Sequence, residues 1–143
     1  MADIAQTLRP AERIRKRPEF ERVYNQGLKA PGRFMTLFLL RNGSSVSRLG
    51  IVATRKLGGA VQRNRAKRLA REIFRRHKPP SGLDLVVIPR REFLIVERAS
   101  LEAEYQSIVS RRAARAPVAA PRPLRRPGAG ERTPKRKPDA PRG

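Results

Sequence analysis

The chain contains no cysteine, which excludes disulfides, thiol nucleophiles and zinc fingers together. It has a single histidine, His77, so a nuclease built on paired imidazoles is excluded as well. Acidic residues are scarce, 12 against 34 Lys and Arg. Asp3, Glu12, Glu19, Glu21, Asp84, Glu92, Glu97 and the pair Glu102 and Glu104 never fall at a metal-ligand spacing with His77 or with each other. There is no nucleotide-binding glycine loop either, since Gly58-Gly59 lacks the Lys-Ser/Thr ending. No apolar stretch approaches the roughly 18 to 20 residues of a membrane span, the longest being Met35 to Leu40. Residues 1–12 lack the apolar core of a signal peptide. These absences lead us to expect a cytoplasmic protein with no membrane partner, no bound cofactor and no catalytic cluster of its own.

What the chain has in abundance is positive charge. Its formal net charge is +22 and its pI about 11.9. Such a field repels itself unless a polyanion lies nearby. Most of the cations are arginine, whose planar fork grips phosphate bidentately and stacks on bases, so nucleic acid is favoured over an anionic membrane.

The 143 residues suit one small domain. Residues 1–8 read as a loose N-terminus and residues 9–115 as one compact unit without internal repeats. From Ala116 onward the chain is rich in Pro, Ala and Arg, as in Pro121-Arg122-Pro123-Leu124-Arg125-Arg126-Pro127-Gly128, which predicts a disordered basic tail over 116–143. Pro18 in a first turn, Phe20, Val23 and Tyr24 at helical spacing and Gly27 at the far end describe a short helix with both aromatics on one face. Arg33 to Leu40 and Arg48 to Thr54 read as strands. The signal Arg41-Asn42-Gly43-Ser44-Ser45 between them predicts a hairpin. Alternation puts Phe38 on one strand face with Phe34, Thr36 and Leu40 without saying which face looks outward.

The clearest helical period comes after Gly58-Gly59: Ala66, Leu69, Ala70, Ile73, Phe74 and His77 form one apolar stripe, ended by Pro79-Pro80-Ser81-Gly82. On that stripe His77 reads as a structural residue. Leu83 to Ile88 has the continuous apolar character of a strand buried on both faces. Ser100 is placed to cap a last helix carrying Leu101, Tyr105, Ile108 and Val109, with Glu102 and Glu104 near its start. With a short extra strand near Leu28 to Ala30, the expected architecture is α+β, a small sandwich of helices on a sheet of about four strands.

Opposite the apolar stripe, Arg63, Lys67, Arg71 and Arg75 recur every fourth residue, flanked by Arg65, Arg68 and Arg76 and interrupted only by Glu72. A solvated helix ordinarily mixes signs at this spacing, because like charges four apart oppose helix formation. Arg55-Lys56 extends the basic surface upstream. Asn64 adds a side chain that both donates and accepts hydrogen bonds.

The run Arg55-Lys56-Leu57-Gly58-Gly59-Ala60-Val61-Gln62-Arg63-Asn64-Arg65-Ala66-Lys67-Arg68-Leu69-Ala70-Arg71-Glu72 resembles the signature of bacterial ribonuclease P proteins, including its Arg-Asn-Arg core. The resemblance spans about Arg13 to Val109 and takes in Phe20, Tyr24 and Gly27 as the family's aromatic first helix and turn. Many members carry Asn or another polar residue where this chain has Gly59. The resemblance implies a sandwich similar to ribosomal-protein domains, with a left-handed crossover joining parallel strands through the Arg-Asn-Arg helix. It further implies that Arg55, Arg63, Asn64, Arg65, Lys67, Arg68 and Arg71 face the catalytic ribonuclease P RNA. A cleft including Phe20, Tyr24, Phe38 and Lys56 would then hold the single-stranded 5′ leader of precursor tRNA. In that assembly the RNA subunit and its Mg2+ ions perform the cleavage.

A structural RNA-binding protein, such as a ribosomal protein, would share the basic surface and the sandwich. The aromatic first helix together with the Arg-Asn-Arg signature favours the ribonuclease P subunit. A protein-only nuclease and a non-specific DNA-compacting protein find less support in these residues.

Overall fold

The computed structural model describes residues 8–120. The elements run α1 (Arg17–Gln26), β1 (Leu28–Pro31), β2 (Met35–Arg41), β3 (Arg48–Ile51), α2 (Ala60–Arg76), β4 (Leu83–Pro89) and α3 (Arg98–Arg112). The four strands make one mixed sheet in the order β1-β2-β4-β3. The expected α+β class and the short extra strand are both present.

The predicted hairpin is not. β2 pairs antiparallel with β4, from Met35 opposite Pro89 to Arg41 opposite Leu83, while β3 pairs parallel with β4. β4 therefore lies between the two strands that a local turn signal would join. The reason is burial: β4 is covered on both faces and needs a central position, whereas β3 is short and sits at the edge. The loop after β2 is tied to the start of β4, with the Asn42 N–H donating to the Gly82 carbonyl at 2.8 Å. A turn composition cannot distinguish this wider loop from a tight hairpin.

The sheet has two unlike faces. Met35, Leu37, Leu39, Leu49, Leu83, Leu85 and Val87 pack with Ala66, Ala70, Ile73 and Phe74 of α2 and Leu101, Tyr105, Ile108 and Val109 of α3. On the other face, Leu40 and Val86 pack with Val23 of α1 and with Ile14, and the half-buried Phe20, Tyr24 and Phe38 lie against them. Phe34 does not share this second face. It precedes β2 and packs on the α2 and α3 side, because the turn before β2 breaks the alternation.

That turn is held from a distance. The Glu104 carboxylate accepts the backbone N–H groups of Arg33 at 2.8 Å, Phe34 at 2.9 Å and Met35 at 3.1 Å. Glu104 thus closes the β1–β2 turn, in place of the expected role at the start of α3. α3 itself begins earlier than expected, after Glu97, so Ser100 is inside the helix and is not its cap.

Asp84 interrupts what reads as an apolar run in β4, and it is only 1% exposed. Arg48 satisfies it with two hydrogen bonds, Nε to Oδ1 at 2.9 Å and Nη2 to Oδ2 at 2.7 Å. Asn42 donates to the same Oδ1 at 2.6 Å, and Arg48 Nη1 reaches Glu19 of α1 at 3.3 Å. A buried charge is tolerable only when paired and hydrogen-bonded in this way. The network fastens α1 to β3, β4 and the loop after β2.

Two segments assigned to loose ends carry contacts within the described residues. Leu8 is buried in the main core, and Ala116 is too. Arg41 at the end of β2 donates its N–H to the Pro117 carbonyl at 2.8 Å and accepts from the Ala119 N–H at 2.8 Å. Residues 1–7 and 121–143, the rest of the expected flexible N-terminus and tail, lie outside the described residues.

Candidate nucleic-acid interface

α2 forms because its apolar residues recur at helical spacing and Gly58 supplies a turn that only glycine accepts readily, with φ at +126°. Gly59 needs no such freedom, and a Cβ there would meet only the Gln62 side chain at 3.7 Å. Its N–H donates to Gln62 Oε1 at 3.1 Å, satisfying one open donor of the first turn. With Ala66, Ala70, Ile73 and Phe74 buried, the opposite surface projects outward.

Asn64, Arg65 and Arg68 are exposed on that surface, as is Arg55 on the single turn Arg55–Leu57 preceding α2. Arg63, Lys67 and Arg71 are half-buried beside them. Arg63 Nη1 donates to the Gly58 carbonyl at 3.1 Å, which holds its guanidinium against the helix start. Glu72 leaves the face uninterrupted: it accepts from Arg98 of α3 at 3.0 Å and so belongs to the helix–helix contact. The seven residues expected to face RNA therefore lie on one continuous run of turn and helix.

The structure adds Arg13 and Arg75 to this surface, neither of them among the seven residues expected to face RNA. Arg13, whose neighbour Ile14 hydrogen-bonds Leu49 of β3, lies close enough to Arg71 for the two charges to interact. Burial first, and then the charges of Arg13 and Arg68, push the Arg71 guanidinium below its ordinary pKa. The Nε atoms of Arg13 and Arg75 are buried and have no hydrogen-bond partner among the described residues. Cations crowded in this way are relieved by an anion with several acceptor oxygens. The only local hint of Arg75 was its place in the four-residue repeat; Arg13 carried none.

On the far side of the sheet, α1 brings Phe20 and Tyr24 together with Phe38 of β2 in one cluster. The Tyr24 and Phe38 rings meet edge to face, with centroids 5.0 Å apart and planes at 67°. Phe20 lies over Gly50, where a Cβ would come within 2.7 Å of its ring. The three aromatics thus lie together, each partly buried, between α1 and the sheet. Lys56 stands apart in the chain, exposed on the turn before α2, with its N–H on Thr54 Oγ1 at 3.4 Å.

His77 is held on both ring nitrogens, Nε2 by Glu102 at 3.3 Å and Nδ1 by Gln106 at 3.1 Å. Among the described residues no group of three or more His, Cys, Asp or Glu could hold a metal ion, and no helix is long and apolar enough to cross a membrane.

The model of the Ribonuclease P family matches residues 8–113, nearly all of the described chain. The chain belongs to the ribonuclease P protein family. It is 39% identical over 101 residues to the ribonuclease P protein component of Oleidesulfovibrio alaskensis, covering 68% of this chain and 80% of that one. To that of Thermotoga maritima it is 45% identical over 83 residues, 57% of this chain and 71% of that one. Among solved structures, the RNase P protein from Thermotoga maritima superposes with a TM-score of 0.64 at 39% identity, covering 70% of this chain and 96% of that chain. The RNase P protein of Staphylococcus aureus does so at 0.63 and 31% identity, over 71% and 94%. The family's match ends at Ala113, before the residues that run along the end of β2.

Proposed function

We propose that this chain is the protein subunit of a ribonuclease P ribonucleoprotein, which removes the 5′ leader of precursor tRNA in the cytoplasm. One observation carries the reading. An arginine-covered helix and a half-buried aromatic cluster lie on opposite faces of the same four-stranded sheet. A rigid cationic helix suits structured RNA, which proteins bind by shape and phosphate position, whereas half-exposed aromatics suit unstacked single-stranded bases. Arg55, Arg63, Asn64, Arg65, Lys67, Arg68 and Arg71 then take the catalytic RNA. Phe20, Tyr24 and Phe38 take the leader, with Lys56 supplying charge at the phosphates.

In this reading the chain binds and orients, and the RNA subunit with its Mg2+ ions breaks the phosphodiester bond. Among the described residues no acidic cluster fits a magnesium site of the protein's own.

Reconstitution of the purified chain with its cognate catalytic RNA tests this directly. Arg65→Ala weakens assembly with the catalytic RNA, while Tyr24→Ala leaves assembly intact and weakens binding of leader-bearing precursor by about fivefold or more, the worth of one lost base stack. The same defect from both changes overturns the two-surface reading. So does cleavage of precursor by the protein without RNA.

A further inference from the structure

We infer that residues 116–120 position the leader site: strapped around the end of β2, they fix the last turn of α1 and so hold Phe20 and Tyr24 in place beside Phe38; this role rests on the leader reading of that face.

The strap has a place to lie because β2 outruns its neighbour. β1 pairs with β2 only as far as Leu28 opposite Leu39, since the chain before Leu28 turns into α1. Arg41, further along the same edge, takes its partners from the strap. Its N–H donates to the Pro117 carbonyl and its carbonyl accepts the Ala119 N–H, each at 2.8 Å, with Val118 bridging parallel to it. The Arg41 side chain holds the near end of the segment, Nη2 donating to the Ala114 carbonyl at 3.1 Å. Ala116 is buried in the core beneath α2 and α3, whereas Ala119 packs against the same small core as Phe20, Tyr24 and Phe38. Three residues thus carry the chain from one face of the sheet to the other.

The strap ends on α1. The Ala120 N–H donates to Oε1 of Gln26, the last residue of that helix, at 2.6 Å. The start of α1 is fastened separately, by Arg48 Nη1 on Glu19 at 3.3 Å. Phe20 and Tyr24 lie between these two fastenings. Pro117 and Val118 are exposed, so backbone bonds and not buried side chains keep the strap in place. Rings that are fixed before the leader arrives spare it the cost of ordering them. The matched family region ends at Ala113, so this fastening is an addition to the family's fold.

Full-length chains carrying Ala119→Pro or Ala120→Pro, each reconstituted with the catalytic RNA, provide the test. The first removes the N–H that Arg41 accepts, the second the one that Gln26 accepts. Ala120→Gly keeps that N–H and serves as the control. Both proline variants should bind a precursor with a leader of about ten nucleotides roughly three- to tenfold more weakly, the range covered by one net hydrogen bond. A precursor trimmed to a single leader nucleotide should bind unchanged, as should the catalytic RNA, and Ala120→Gly should match the unaltered chain. Hydrogen exchange should quicken at Gly27, whose N–H bonds the Val23 carbonyl at 2.8 Å, and stay the same along α2. Unchanged long-leader binding in both proline variants overturns the inference. Faster exchange without loss of binding does so too, because the strap is then a structural tie alone. Equal loss on both precursors or weakened assembly with the catalytic RNA also counts against it. Tyr24→Ala separates the two readings. If it weakens long-leader binding and the proline variants do not, only the strap fails; if it leaves that binding intact, the leader reading falls and takes the strap with it.

Discussion

α2 and α3 cover one face of the sheet with a continuous apolar core, while α1 alone covers the other, leaving Phe20, Tyr24 and Phe38 half-buried. The first face is closed by packing, the second in large part by charge: Asp84, Arg48 and Glu19 tie α1 to β3 and β4. Two helices that bury most of their apolar stripes leave the outer surface of α2 free to be almost wholly cationic. A single helix fastened by an ion-pair network can leave a groove open beside it without loss of position. The difference assigns stability to one face and access to the other.

The two faces are driven apart most severely at Asp84. Asp84→Ala leaves Arg48 with its main partner gone in a largely buried site, where breaking a pair costs about 3 kcal/mol or more. Denaturant unfolding should show that loss. Leader-bearing precursor binding should suffer more than assembly with the catalytic RNA, since α1 and not α2 is released.

Gly50→Ala is gentler and more local. The new Cβ meets Phe20 at 2.7 Å and Ile14 at 3.0 Å, so α1 must shift outward, at about 1 to 3 kcal/mol. Equal weakening of leader binding and of assembly would show that the two faces are not independent.

Acid probes the contrast from the other side, with the smallest effect. Hydrogen bonding from Arg98, and then from His77, holds the Glu102 carboxyl below its ordinary 4.5 despite the opposing effect of burial. Glu12 is shifted the same way: burial raises it, but Lys78 and the Arg9 N–H together outweigh that. Both groups have folded pKa values depressed relative to the unfolded chain. Their stabilisation is therefore present above pH 4.5 and lost as pH falls through the lower folded values. Thermal midpoints should decline below pH 4.5, and Glu102→Gln should flatten that decline.

α2 was readable because Ala66, Ala70, Ile73 and Phe74 repeat at the helical period and leave the cations opposite. α1 was readable from Pro18 and Gly27 at its ends. Phe38 was not assignable to a face because Leu37, Leu39 and Leu40 make both sides of β2 apolar. The pairing of β2 with β4 depended on a partner more than forty residues away. The roles of Glu104 and Asp84 were hidden for a related reason: each is satisfied by groups far along the chain. Nothing in the composition of residues 116–120 marks the bridge to Arg41, which asks only for an extended chain with a carbonyl and an N–H in the right places.

The position of β4 has a consequence for how the molecule comes into being. β4 is the central strand, yet it is the last of the four to leave the ribosome. Until Pro89 has been synthesised, β2 and β3 have no strand between them. The nascent chain therefore carries the complete sequence of the arginine helix before the sheet can close. Completion requires non-local pairing, the slow step of small mixed folds. A chain halted between Arg76 and Leu83 holds the cations of α2 without the strand that completes the core behind them.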